Sequence, residues 1–218
     1  MGQKNNVQIS IVMASYLSSY DGAASDREAK FYRSVRSVQE QSFKQWQLVI
    51  VSDGCHITTD MYNELFADDE RIKLIEIPKQ KQWSYVVRNT GIEASTAQWI
   101  TYLDTDDFIG KNHLQIIVAQ INATTEPIGW VYYNHYFAQP PQHADNALKF
   151  DEEIVIIDGK GKCGTCNVTH RNLPEFRWDD DTYLHDWYFI MVLKKHGLYK
   201  RIKTPEYYVC HFPNKIDV

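Results

Sequence analysis

Nothing in this 218-residue chain is apolar for long enough to cross a bilayer. The polar start MGQKNN lacks the features of a secretory signal, and Asn6 stands where a myristoylation signal needs Ser or Thr. Cysteine is scarce. The four thiols, at positions 55, 163, 166 and 210, are too few and too scattered for a disulfide scaffold, so a reducing, cytoplasmic setting is expected. An excess of basic charge is also missing. The net charge of −5 argues against a surface that coats nucleic acid and leaves room only for a local basic cleft. There are no internal repeats and no low-complexity tracts. With 44% hydrophobic and 23% charged residues, what remains is the composition of one globular domain.

The first half alternates strand and helix signals. Residues 7–13 read as a buried strand. Ser25-x-x-Glu28 is a capping box, after which Phe31, Val35 and Val38 recur at helical spacing to about Gln41. Residues 47–51 form a second strand, closed by Ser-Asp-Gly, and a helix follows near 60–66. Residues 71–77 are a third strand, 84–93 a helix and 99–103 a fourth strand. Leu114, Ile117, Val118 and Ile121 stripe the next helix. This β-α-β-α order implies a mostly parallel sheet covered by helices. The second half is less regular: strands over 128–137, 154–157 and 207–211, loops over 138–146 and 158–164, and a helix over 185–196 ending at Gly197.

In an open parallel sheet, ligands bind at the carboxyl ends of the strands. Three such ends carry polar groups: Ala14-Ser15-Tyr16, Ser52-Asp53-Gly54 and Asp104-Thr105-Asp106-Asp107. In an extended chain Asp104 and Asp106 project to one face, roughly 6.6 Å apart along the backbone. Hard oxygen ligands of this kind favour Mg²⁺ or Mn²⁺, which bind substrate phosphates as well and reverse the sign of a pocket that would otherwise repel a diphosphate. The plain alternative is an exposed acidic loop. Cys163-x-x-Cys166 with Cys210 or His211 offers a rival zinc site, weakened by the lack of a second paired motif. Trp130, Tyr132, Tyr133, Tyr136 and Trp178 are candidates either for sugar stacking or for the core.

In order and spacing, IVMASYL (11–17), FYRSVRSVQEQSF (31–43), VIVSDG (49–54) and VRNTGIEASTAQWITYLDTDD (87–107) resemble the family 2 glycosyltransferases. PEFRWDDDTYLHDWYFIMVLKKHG (174–197) matches more loosely, as the family's acceptor-side loop and the helix bearing its catalytic acid. The resemblance implies an α/β chain of the GT-A fold. Residues 1–107 would be a Rossmann-like, nucleotide-sugar-binding half with a mostly parallel central sheet, and residues 108–218 a smaller, irregular acceptor-binding and catalytic half.

The resemblance also implies roles. Ala14, Ser15, Tyr16 and Asp53 hold the nucleotide's base and ribose, with Ala14, Ser15 and Leu17 departing from the family's usual proline, threonine and asparagine, and Ser52 from its first aspartate. Arg88, of the Arg88-Asn89 pair, contacts the diphosphate or donor sugar. Asp104 goes to the ribose or sugar, Asp106 to the metal, and Thr105 lies between them in the donor site. Asp107 orients the loop or the sugar. His211 is a second candidate metal ligand. Asp186 is the candidate general base, although His185 stands where Glu is usual and Asp179, Asp180 and Asp181 compete for the role.

The implied reaction is Mn²⁺- or Mg²⁺-dependent, inverting transfer of a hexose from a nucleotide diphosphate sugar, with a UDP-sugar expected, to an acceptor hydroxyl. Without the Gln-x-x-Arg-Trp motif, one sugar per encounter is expected, in glycan or polysaccharide biosynthesis. The acceptor would be a glycan, a lipid-linked sugar or a small molecule, with peripheral membrane contact open and no nucleic acid partner. Two rivals stand beside this reading: a nucleotidyltransferase, disfavoured because SYLSSYDGAASD is neither glycine-rich nor basic, and a nucleotide-sugar-binding module without catalysis.

Overall fold

The computed structural model describes residues 9–20, 23, 26–81, 84–139, 149–160, 162–179, 181–203 and 206–210. Its first half follows the expected alternation: β1 (Ile9–Ser15), α1 (Arg27–Gln39), β2 (Trp46–Asp53), α2 (His56–Leu65), β3 (Ile72–Ile77), α3 (Tyr85–Glu93) and β4 (Trp99–Tyr102). Ser25 of the expected capping box lies outside the described residues. Ser84 caps α3, its hydroxyl accepting from the Val86 amide at 3.3 Å. The second half contributes β5 (Phe108–Ile109), α4 (His113–Asn122), β6 (Trp130–Tyr132), β7 (His135–Gln139), β8 (Lys149–Glu153), β9 (Val168–Arg171), α5 (His185–His196), β10 (Tyr199–Arg201) and β11 (Tyr207–Val209).

β4, β1, β2 and β3 pair in parallel; β1 and β2 are buried on both faces and run almost continuously apolar, whereas the edge strand β3 leaves Lys73 and Glu76 exposed. Ile9, Ile11 and Met13 point into a cluster with Phe31, Val35 and Val38 of α1 and Leu114 and Ile117 of α4. Val12 points the other way, towards Ile92 of α3 and Phe189 of α5. Helices therefore cover both faces, and the carboxyl ends of β1, β2 and β4 open on one edge.

The GT-A expectation of one mostly parallel central sheet with an irregular second half is corrected by this topology. The described residues form two separate sheets, a seven-stranded one in the order β10-β6-β9-β4-β1-β2-β3 and a four-stranded one in the order β5-β11-β7-β8. β9 runs antiparallel to both β4 and β6, so the larger sheet is mixed, and the second half supplies strands to both sheets. The single strand expected over 128–137 is two strands in different sheets. The chain breaks at Tyr133, whose buried hydroxyl is 3.1 Å from that of Thr101, and at Asn134, whose Oδ1 accepts from the Val155 amide at 3.1 Å. The expected strand over 154–157 has the right alternation, with Val155 and Ile157 buried and Ile154 and Ile156 exposed, but among the described residues no strand pairs with it. Among the described residues no helix is long and apolar enough to cross a membrane.

Candidate active site

The carboxyl ends of β1, β2 and β4 line two adjoining cavities of about 480 and 490 Å³, which share Ala14, Tyr20, Arg27, Arg88 and Thr105. The first is walled by Ser15, Tyr16, Asp53 and Lys79. The second is walled by Asp104, Asp106, Thr165, His185 and Asp186. The structure thus brings together the expected site residues except Asp107, which lines neither cavity, and His211, which lies outside the described residues.

In the first cavity Asp53 is nearly buried and already engaged. Its Oδ2 accepts from Lys79 Nζ at 2.6 Å and its Oδ1 from the Gln80 amide at 2.6 Å. Lys79 Nζ also lies 4.2 Å from the centre of the Tyr16 ring. Gly54 makes this possible. At φ +62° it takes a left-handed turn, and a Cβ there would stand 2.6 Å from the Lys79 amide nitrogen. Ser15 turns its hydroxyl to Thr58 of α2, 2.8 Å away, so its side chain braces the strand end. The segment after Tyr16 is held by Cys55, whose sulfur accepts from the Leu17 amide at 3.2 Å. Burial raises the Cys55 pKa, but hydrogen bonds from Ser18, Thr58 and Leu17 outweigh it and bring it to about 7.

The acidic stretch is a turn rather than an extended strand end, with the Asp107 amide donating to the Asp104 carbonyl at 3.2 Å. Asp104 and Asp106 share a cavity because this turn is pinned from outside. Arg33 donates to the Asp106 carbonyl at 2.8 Å, and Ser34 to the Asp104 carbonyl at 3.1 Å. Asp107 is buried and structural: it accepts from the Tyr207 hydroxyl at 3.0 Å and from the Cys210 amide at 2.8 Å. The Tyr207 oxygen in turn accepts from the Asp104 amide at 3.2 Å. Burial pushes the Asp104 pKa up to about 6; Arg88, 3.9 Å away, opposes this, and the charges of Asp106 and Asp186 add to it.

Among the described residues no group of three His, Cys, Asp or Glu side chains is arranged to hold a metal ion, and this includes Cys163, Cys166 and Cys210. The Asp104–Asp106 pair nevertheless suits a hard divalent cation. Such ions take one or two carboxylates and complete their shell with phosphates and water, and a cation would offset both the desolvation and the added like-charge repulsion that raise Asp104.

Asp186 lies in the first turn of α5, where its Oδ1 accepts from the Thr165 hydroxyl at 3.0 Å and lies 3.1 Å from His185 Nε2. His185 Nδ1 lies 2.9 Å from the Thr182 carbonyl, so both ring nitrogens face acceptors. Burial raises the Asp186 pKa, but His185, the Arg88 charge and Thr165 outweigh it and hold the carboxyl below the usual range. It is therefore ionised at neutral pH and able to accept a proton. Of its competitors, Asp181 is committed to Lys81 at 2.5 Å and to the Tyr85 amide at 2.9 Å. Asp179 is exposed, and Asp180 lies outside the described residues.

Sequence reasoning did not single out Lys79, Thr165 or Tyr207. Lys79 follows Pro78 at the end of β3, a further strand end, and that was the one available signal.

Residues 10–173 match the family model described as Glycosyl transferase family 2. An uncharacterized glycosyltransferase of Haemophilus influenzae is 30% identical over 108 residues, 49% of this chain and 39% of the relative. The GalNAc(5)-diNAcBac-PP-undecaprenol beta-1,3-glucosyltransferase of Campylobacter jejuni is 26% identical over 98 residues, 44% of this chain and 32% of the relative. Each match spans well under half of the curated relative. Among solved structures, Staphylococcus aureus TarS 1–349 in complex with UDP-GlcNAc superposes with a TM-score of 0.71 at 14% identity, covering 95% of this chain and 60% of that one.

Proposed function

Because the chain belongs to glycosyltransferase family 2, we propose that it transfers a hexose from a UDP-sugar to an acceptor hydroxyl with inversion, one sugar per encounter. One observation carries this reading: the Asp104, Asp106 and Asp186 carboxylates line one cavity, and Arg88 joins it to the cavity of Tyr16 and Asp53. Tyr16 and Asp53 bind the base and ribose. Arg88 meets the diphosphate or the donor sugar, taking up negative charge on the leaving group. Asp106, beside Asp104, would hold Mn²⁺ or Mg²⁺, which when bound supplies positive charge to the diphosphate.

Asp186 removes the proton of the acceptor hydroxyl as its oxygen bonds to the anomeric carbon and the nucleoside diphosphate departs. Thr165 and His185 both engage Oδ1, which fixes the carboxylate's rotation and leaves Oδ2 without a hydrogen-bond partner among the described residues. The donor side belongs to residues 1–107 and the acceptor side to 108–218. The Campylobacter relative is named for an acceptor on a lipid diphosphate, which supports a lipid-linked acceptor met at a membrane surface from the cytoplasm.

Hydrolysis and transfer of UDP-glucose with Mn²⁺, compared between wild type and Asp186→Asn, test the reading. Turnover in the wild type that collapses in the variant supports it. Donor binding without turnover in either protein points instead to a binding module.

A further inference from the structure

Trp178 has no place in the chemistry above, yet α3, β4 and α5 all meet on it, and β9 is linked to it through Tyr102. Its backbone is held twice by Asn89 of α3: Asn89 Nδ2 donates to the Trp178 carbonyl at 2.8 Å, and the Trp178 amide donates to Asn89 Oδ1 at 3.0 Å. Its indole N–H donates to the Tyr102 hydroxyl of β4 at 3.0 Å. That hydroxyl lies 2.7 Å from His170 Nε2 of β9, and His170 Nδ1 lies 2.8 Å from the Arg171 carbonyl. A carbonyl only accepts, so Nδ1 carries the proton and Nε2 accepts from Tyr102. Every donor in this chain therefore points one way, and each is satisfied although the three side chains are buried.

The indole face is used as well. Phe189 of α5 stacks on it with centroids 4.1 Å apart and planes 12° from parallel, and the His185 ring lies 5.6 Å away. The Arg88 guanidinium sits 4.8 Å over the same ring. The π face seats the guanidinium without adding a countercharge, and the nearest carboxylate oxygen among the described residues, Asp104 Oδ1, stands 3.9 Å away, beyond hydrogen-bond distance. An anionic ligand thus meets an arginine already seated, whose donors no described carboxylate closes off by a direct hydrogen bond.

We propose that Trp178 is a positioning residue for glycosyl transfer: its indole seats the Arg88 guanidinium and the Asp186 end of α5 together, and the Tyr102–His170 chain fixes the indole's rotation. This rests on the roles given above to Arg88 and Asp186. A buried indole N–H needs a partner in any core; what filling the core would not need is a guanidinium over the ring and a clamp on the residue next to Arg88. Arginine loses substantial side-chain entropy when it is fixed, and a preformed seat moves that loss from the binding step to folding.

The test is a double-mutant cycle on the full chain, with UDP-glucose and Mn²⁺ as the probe in calorimetry and with denaturant stability measured in parallel. Trp178→Leu is expected to weaken binding about tenfold when Arg88 is present, and by less than about twofold in an Arg88→Ala background. Trp178→Phe, which keeps a π face, is expected to recover most of the affinity, and Tyr102→Phe to fall between. Equal losses in both Arg88 backgrounds, or unchanged affinity with only a lower unfolding midpoint, would overturn the proposal and leave the functional reading standing. No binding of UDP-glucose by the wild type would overturn both.

Discussion

The Thr165 hydroxyl donates to Asp186 Oδ1 across 3.0 Å, from a loop that precedes β9 to the first turn of α5. A carboxylate rotated freely would present either oxygen to an acceptor, and this bond selects one. Asp186→Asn should lower the transfer rate about 10²- to 10⁴-fold with UDP-glucose affinity unchanged within about twofold. Thr165→Val should cost less and act on kcat rather than KM. Steady-state kinetics beside calorimetry separate the two effects, and a variant with normal kcat would remove Asp186 from the chemistry.

Asp106 faces the cavity, and its backbone carbonyl is held by Arg33 at 2.8 Å whatever side chain stands there. Asp106→Asn should lose Mn²⁺-dependent binding of UDP-glucose. Chelation by EDTA should produce the same loss in the wild type, and added Mn²⁺ should reverse it. Full affinity in EDTA would contradict a cation at this turn.

His113 is buried between the rings of Tyr133 and Tyr207, and neither of its nitrogens has a hydrogen-bond partner among the described residues. Burial pushes its pKa from 6.5 down to about 3. The folded state then binds fewer protons than the unfolded state between those values, so the stability it permits is full above about pH 6.5 and declines as pH falls. Between pH 8 and pH 5 this one ring accounts for about 2 kcal/mol of lost stability. His170, held near 4 by burial, acts in the same direction. His113→Phe should flatten the acid limb by that first amount in urea unfolding at the two pH values, and an unchanged slope would refute the assignment.

Much of the lining of the two cavities was legible in the chain. Tyr16, Asp53, Arg88 and the acidic turn lie in short segments at the ends of apolar runs, where local pattern suffices. The two-sheet layout was not, because nothing local tells residues 130–132 from 135–139, and the split rests on Tyr133 reaching Thr101 across the sheet. Lys79, Thr165 and Tyr207 escaped notice for the same reason. They meet Asp53, Asp186 and Asp107 across 26, 21 and 100 positions of chain. The turn at Asp104 also defeated the extended-strand reasoning: both carboxylates reach one cavity, but through outside bracing.

Gly91 sets how closely α3, and with it Arg88, approaches the sheet. A Cβ at this position would stand 2.4 Å from Val12 Cγ1 and 3.3 Å from Val51 Cγ2. Alanine is the better helix former by about 1 kcal/mol, but overpacking a rigid β-branched neighbour costs about 1–3 kcal/mol. Gly91→Ala should therefore lower stability by up to about 2 kcal/mol and weaken UDP-glucose binding. A stabilised variant with normal affinity would show that the contact yields.

The most direct measurement is a thermal-shift and calorimetric screen of nucleotide-sugars with and without Mn²⁺. Binding of a UDP-sugar that strengthens with Mn²⁺ and is lost in Asp106→Asn is the expected result. Failure of every nucleotide-sugar to bind under either condition would contradict the proposed donor site and the glycosyl transfer built on it.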